Sequence, residues 1–186
     1  MNNGRNQYVS TVMLVLLKYA IFALYLFMVI KVLLLKFGHM DIDLLLHHWQ
    51  QGIRDPNIVL ERLRNRGNLV PFHEIQNYVV AIRETGSWHS FVNLAGNVIA
   101  FLPLGFMLPL LFAKRVRSLV KVVFLSFLFS LGLEVTQLVT SWGTFDVDDI
   151  VLNTTGGALG YGFYLSYRLI FWWKSRKPQT LISEAH

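Results

Sequence analysis

Polar side chains recur at helical spacing in three otherwise apolar segments of the chain. Within each segment, successive polar residues are three or four positions apart, which places them on one face of a helix. They are Asn93 and Asn97, then Glu134 and Gln137, and finally Asp146, Asp149 and Asn153. Carboxylate and amide groups on facing helices could together form a polar site for a ligand.

The composition around these residues is too apolar for an ordinary water-soluble domain. Of the 186 residues, 54% are hydrophobic and only 15% are charged, against roughly 45–50% and about 25% in soluble domains. The chain has no cysteine, which excludes disulfides and cysteine-ligated metals. Its net charge of +6 lies between apolar runs, a distribution that indicates a membrane protein and not a nucleic-acid-binding protein.

Four segments are long and apolar enough to be transmembrane helices. A bilayer core of roughly 30 Å needs about 20 apolar helical residues. The segments cover residues 12–35, 90–112, 119–139 and 149–173. The first is too long for a cleaved signal peptide and lacks a small-residue cleavage pattern, so it is interpreted as a retained anchor. We predict an all-α integral membrane bundle of four transmembrane helices, formed by residues 1–186 as a single domain.

A polar loop, residues 36–89, follows the first helix, and Pro56 to Arg66 within it could form a short surface helix.

Basic residues near the span ends predict the orientation of the chain. Four lie in or beside the connection between the second and third spans, and four more lie near or after the end of the fourth; they are Lys114, Arg115, Arg117 and Lys121, then Arg168, Lys174, Arg176 and Lys177. Both groups belong in the cytoplasm, so both termini are cytoplasmic and loop 36–89 faces outward, although this loop also carries basic residues. The polar residues of the last three spans then share the outer half of the bilayer. An uncompensated charge there costs at least about 2–3 kcal/mol, so we expect these side chains to face inward and form a pocket.

Several of these residues also have a purely structural interpretation. Asp146 with Asp149 fits a helix N-cap followed by an acidic third position, and the amides could simply join helices. The spacing of Gly156 and Gly160 favours close helix packing over ligand contact. Glu134 is different, because a lone carboxylate within a span more often has a functional role.

Proline and histidine give weaker signals. Pro103-Leu104-Gly105 interrupts the second span and predicts a kink or a break. His47-His48 lacks metal-ligand spacing, whereas His73 and His89 flank the outer end of the second span and are better placed for a site.

The order and spacing of several motifs resemble the VanZ-like family of membrane proteins. The motifs are NLVPF at 68–72, NLAGN at 93–97 with FLPLG at 101–105, EVTQ at 134–137, FDVDD at 145–149 and NTTGG at 153–157. The resemblance covers residues 68–167. Many relatives have an arginine just before the acidic motif, where this chain has Ser141-Trp142-Gly143-Thr144, so any role of that arginine is absent here or passes to an arginine of the loop. The resemblance implies a small protein of the bacterial plasma membrane and a link to low-level resistance to teicoplanin, a glycopeptide with a lipid tail. It does not define a reaction.

The first functional hypothesis is binding or remodelling at the outer leaflet. The ligand would be an anionic envelope lipid, such as a lipid-linked envelope precursor, or a lipid-tailed glycopeptide. Outward helix N-termini favour phosphate, and Arg62, Arg64 and Arg66 in the loop could add charge-assisted contacts. This hypothesis requires no cofactor.

The alternative is a metal-dependent enzyme that acts on a phosphorylated lipid. Glu134, Asp146 and Asp149, together with Asp148 and Asn153, could hold Mg²⁺ or Mn²⁺, which prefer oxygen ligands and bridge phosphates. A transporter ranks lower, because the inner halves of the spans lack a polar path.

Overall fold

The computed structural model of the protein describes residues 2–35 and 42–175. These residues form seven helices and no strand, which confirms the all-α prediction. The helices are α1 Asn2–Leu35, α2 Ile42–Arg54, α3 Pro56–Arg66, α4 His73–Thr85, α5 Trp88–Leu111, α6 Leu119–Thr140 and α7 Val147–Ser175. The start of the polar loop at 36–41 and the basic residues Arg176 and Lys177 lie outside the described residues.

Among the described residues, three helices are long and apolar enough to cross a membrane. These segments are Val9–Leu34, Trp88–Leu111 and Leu119–Thr140, and they match the first three predicted spans. The fourth predicted span, 149–173, lies within α7. Its asparagine, threonines, glycines and tyrosines lower its hydropathy, so a four-span bundle is not established by these helices.

Helices α5 and α7 pack backbone against backbone at a set of glycines. A Cβ atom on Gly105 would lie 1.9 Å from the carbonyl oxygen of Gly157, and one on Gly160 would lie 2.1 Å from that of Leu102. Gly156 is equally tight, because its Cβ would lie 2.2 Å from the carbonyl oxygen of Val98. The prediction that Gly156 and Gly160 permit close helix packing is therefore confirmed.

We predicted a kink or a break at Pro103; helix α5 is continuous there, so the break is excluded. Proline removes one hydrogen bond from a helix and its ring pushes away the carbonyl four residues earlier. One turn of the helix is completed by α1: the Tyr25 hydroxyl donates to the Ala100 carbonyl at 2.7 Å and accepts from the Leu104 N–H at 3.1 Å. In a regular helix the Leu104 N–H would donate directly to the Ala100 carbonyl. The Tyr25 hydroxyl of α1 is therefore inserted into this backbone hydrogen bond of α5.

The polar loop is largely helical and folds over one end of the bundle. The predicted helix from Pro56 to Arg66 is present as α3, with the Asp55 carboxylate accepting from the Asn57 N–H at 3.0 Å as its N-cap. Helix α2 packs there too, since Gly52 lies beside the Val139 side chain near the end of α6. After α3, Asn68 pairs with the residues before α7: its N–H donates to the Phe145 carbonyl at 2.8 Å.

Candidate functional site

Predicted polar residues of α5 and α7 meet where α5 and α7 begin and α6 ends, which we call the polar end of the bundle. The Asn97 amide donates to the Asp149 carboxylate at 2.5 Å, joining α5 to α7. The Asn153 amide donates to the Ser130 hydroxyl at 2.8 Å, joining α7 to α6. Asn97, Asp149 and Asn153 are all buried, so they face the protein interior and not separate lipid-facing surfaces.

Glu134 and Asp146 together organise the start of α7. The Asp146 carboxylate accepts from the Asp148 N–H at 2.8 Å, which is the hydrogen bond of a helix N-cap. The Asp146 N–H donates to the Glu134 carboxylate at 2.8 Å. In a capping box this second bond would come from the acidic third position of the same helix; here α6 supplies it. Glu134 is only 2% exposed, and its carboxyl group lies at the positive end of the α7 dipole, so its observed role is to position α7.

Asp148 caps α4 from a different part of the chain. Its carboxylate accepts from the backbone N–H groups of Phe72 at 2.5 Å, Glu74 at 2.7 Å and Ile75 at 3.1 Å. Phe72 is the N-cap residue of α4, but its φ is 66° and its side chain makes no cap. Asp148 is fully buried, so this carboxylate holds α4 against the start of α7.

A cavity of about 230 Å³ opens beside the contact between Asn97 and Asp149. One part of its wall is apolar and the other polar, with contributions from α1, α4, α5 and α7. Its lining consists of Val32, Leu33, Tyr78, His89, Val92, Asn93, Gly96, Asn97 and Asp149. Three of the predicted site residues, Asn93, Asn97 and Asp149, therefore share this cavity.

Two polar residues of the cavity, His89 and Tyr78, were not included in the predicted pocket, although His89 was noted as well placed for a site. His89 is four residues before Asn93 on α5, and its imidazole lies 3.1 Å from the Asn93 amide nitrogen. The i,i+4 stripe of Asn93 and Asn97 could have been extended to it from sequence. Tyr78 has no comparable signal, because α4 is brought to the cavity by the contacts of Asp148.

The carboxylates of the polar end create a negative potential around the cavity. The pKa of Tyr78 is raised to about 12, first by burial and then by Asp149, Asp146, Glu74 and Asp148. Burial also raises the pKa of Asp146 above its ordinary value of 3.8, and hydrogen bonds from Asp148 and Asn68 partly oppose this rise. The cavity thus suits groups that donate hydrogen bonds.

The remaining predicted residues lie outside the cavity lining. Gln137 donates to the Leu33 carbonyl at 2.9 Å and so ties α6 to the end of α1. Arg62 donates to the Val139 carbonyl at 2.9 Å at the end of α6, whereas Arg64 and Arg66 are exposed on α3.

The acidic side chains are not arranged as a metal centre in the part of the chain that the structure describes. No group of three or more histidine, aspartate or glutamate residues there could hold a metal ion. The set proposed for Mg²⁺ or Mn²⁺ under the enzyme hypothesis, Glu134, Asp146 and Asp149, is therefore not such a group. Two of its members are used at the start of α7 and the third lines the cavity.

Comparison with known proteins identifies related sequences. The sequence model described as VanZ/LLP1 matches residues 22–171, a range that includes every residue lining the cavity. The chain is also similar to Protein VanZ of Enterococcus faecium, with 32% identity over 93 residues that cover 50% of this chain and 55% of that protein. The chain thus spans about half the length of this relative. No solved structure matches the chain.

Proposed function

The chain belongs to the VanZ/LLP1 family, and from this premise we propose that it binds the headgroup of an envelope lipid or a lipid-tailed glycopeptide at the outer leaflet. In this proposal the protein crosses the bacterial plasma membrane four times, with both termini in the cytoplasm and α7 as the fourth span. The polar end then faces outward, and the helical loop covers it. A role in teicoplanin-type resistance follows the family resemblance.

The cavity is the observation that carries the proposal. It lies where spans α1, α5 and α7 approach the polar end, and it combines Val32, Leu33 and Val92 with the polar groups of Asn97 and Asp149. A lipid or lipid-tailed molecule needs both kinds of contact, because its headgroup must find hydrogen bonds where its chains leave water. Few residues in a membrane bundle are polar without structural or functional reason.

The arginines of α3 support recognition of an anionic lipid outside the cavity. Arg64 and Arg66 are exposed, and α3 is held at the polar end by the hydrogen bond from Arg62 to the Val139 carbonyl. In the proposed orientation this end lies at the level of the outer headgroups, where basic side chains attract lipid phosphates. Arg62 is occupied by the end of α6, so Arg64 and Arg66 are the two that would contact phosphate.

Filling the cavity tests the proposed binding. Gly96 lines the cavity, and a Cβ atom there would meet no other atom within 4 Å. Gly96→Leu should therefore occupy the space without disturbing the helices. Gly132→Leu is the matched control, because Gly132 is also helical and equally open but lies on α6 outside the lining.

Lipids that co-purify with the detergent-extracted protein would be identified by native mass spectrometry. We expect Gly96→Leu to lose the bound lipid, and any teicoplanin resistance conferred by the parent chain, at unchanged abundance and thermal stability. Gly132→Leu should retain both. A Gly96→Leu protein that keeps the same lipid complement and phenotype would contradict binding in this cavity.

The proposed topology has its own test. Reporter fusions at the connection between α5 and α6, near Lys114, should report a cytoplasmic location, whereas a reporter inserted near Thr144 should report an external one. Both positions lie between helices. A cytoplasmic signal from both sites would overturn the four-span arrangement.

A further inference from the structure

We propose that the cavity selects a headgroup with a primary ammonium group, such as an aminoethyl phosphate lipid, over headgroups with hydroxyl groups only. This inference rests on the proposed lipid binding and names the chemistry of the ligand. The phosphate of such a lipid stays outside the cavity, and its amine enters.

Each cavity amide already uses one of its two N–H groups within the protein. The Asn97 amide nitrogen donates to Asp149 at 2.5 Å, and the Asn93 amide nitrogen lies 3.1 Å from the His89 imidazole. The carbonyl oxygens of the two amides are acceptors. Together with the Asp149 carboxylate they form a set of acceptors, which matches an ammonium with its three donors.

The charge of the cavity favours the same ligand. Within the described residues, its lining includes one carboxylate, Asp149, and no lysine or arginine. Glu74, Asp146 and Asp148 lie close enough to Tyr78 to add to the rise in its pKa, of which burial is the largest cause. In a partly buried site, charges within a few ångströms interact far more strongly than in water, so a cation gains where a phosphate would be repelled.

The size of the cavity admits the amine of such a lipid. Its volume of about 230 Å³ is well above the roughly 10–15 Å³ that one water molecule needs on this measure. An aminoethyl group therefore fits with accompanying water. The apolar side chains of Val32, Leu33 and Val92 can contact the two methylene groups that carry the amine.

Competition between lipids of equal chain length tests the selection. Purified full-length protein would be titrated in detergent with phosphatidylethanolamine, phosphatidylglycerol and N-acetylated phosphatidylethanolamine, and the bound fraction measured by native mass spectrometry. We expect phosphatidylethanolamine to bind about tenfold more tightly than the other two, because only it donates charge-assisted hydrogen bonds to a carboxylate. The N-acetylated lipid keeps the phosphate and the two methylene groups, but it has lost the cation and is larger by an acetyl group.

Asp149→Asn should reduce this preference to within about twofold, since the amide keeps the shape and removes the charge. Asp43→Asn is the control, because Asp43 is exposed on α2 away from the cavity, and it should retain the preference. The wild-type comparison of phosphatidylethanolamine with phosphatidylglycerol decides the inference even if Asp149→Asn fails to fold.

The outcomes separate the inference from the proposed function. If Gly96→Leu abolishes lipid binding but the wild type does not distinguish the three lipids, selection of the amine is overturned and cavity binding stands. If Gly96→Leu binds all three lipids as the wild type does, the lipid lies elsewhere and both proposals are overturned. A preference for phosphatidylethanolamine that is lost in both Gly96→Leu and Asp149→Asn supports the inference.

Discussion

Removal of the Asp148 carboxylate should release the start of α4. This side chain accepts three backbone N–H bonds, from Phe72, Glu74 and Ile75, and it is fully buried. A hydrogen bond to a charged group contributes about 1.5–3 kcal/mol. Because the freed N–H groups of an opened helix end can partly regain water, we expect Asp148→Ala to lower the free energy of unfolding by about 3–5 kcal/mol rather than by the full sum. Asp148→Asn keeps one acceptor oxygen and should cost less, about 1–3 kcal/mol.

The control for this prediction is the local cap of α3. Asp55 accepts one N–H bond, from Asn57 at 3.0 Å, at an exposed helix start, and its replacement by alanine should cost about 1 kcal/mol. Unfolding would be followed by tryptophan fluorescence in detergent, and hydrogen exchange would report the amides of Glu74 and Ile75. We expect these two amides to lose protection in Asp148→Ala and to keep it in Asp55→Ala. If Asp148→Ala proved no more destabilising than Asp55→Ala, the capping of α4 by α7 would not be a principal contact of the fold.

Four further predictions concern the helix contacts and the titratable groups of the loop and the polar end. Tyr25→Phe removes both hydrogen bonds to α5 and should cost about 2–3 kcal/mol; an unchanged unfolding midpoint would show that the bridge contributes nothing. Gly157→Ala places a Cβ atom 2.1 Å from the Ser126 hydroxyl oxygen and should destabilise the bundle by about 1–3 kcal/mol, whereas Gly132→Ala, with open space around it, should not. Burial raises the pKa of Asp146 above 3.8 in the folded protein. The folded state is therefore stabilised relative to the unfolded state as pH falls from neutral through that raised pKa. Asp146→Asn should lack this gain, and equal slopes of stability against pH in the two proteins would refute the reasoning. The phenol of Tyr78 should titrate at about 12, which ultraviolet absorbance would measure. The stability that its neutral form contributes to the folded state should be lost as pH rises from 10 to 12. Titration near 10 in the folded protein would refute the burial of Tyr78 beside carboxylates.

The spans and the surface helix were accessible from sequence because their determinants are local. Long apolar runs give α5 and α6 bounds within two residues of those predicted. Asp55 followed by Pro56 predicts where α3 begins, because an acidic N-cap and a proline in the first turn both favour a helix start. The packing role of Gly156 and Gly160 could likewise be predicted, because their four-residue spacing lies within a single helix.

The contacts between different helices could not be predicted from the sequence in the same way. Helical spacing places Glu134 and Asp148 on faces, but it cannot say that their oxygens meet the backbone N–H groups of other segments. The rarity of carboxylates within spans led us to expect a functional role for Glu134. The structure gives this side chain a structural role instead, because it binds the backbone at the start of α7. Pro103 illustrates the same limit, because its consequence for α5 depends on Tyr25, which lies 78 positions earlier in the chain.

The glycine contacts between α5 and α7 determine which walls of the cavity can move apart. Their backbones are already in close contact at Gly105 and Gly157, so these two helices form a closely packed wall and cannot approach further without collision. Helix α1, which is mostly exposed, and α4, whose first turn is held by Asp148, form the opposite wall. If the proposed lipid binds in the cavity, we expect it to enter and leave by displacement of α1 or α4, and its exchange rate should respond to substitutions in these helices more than to changes at the glycine contacts.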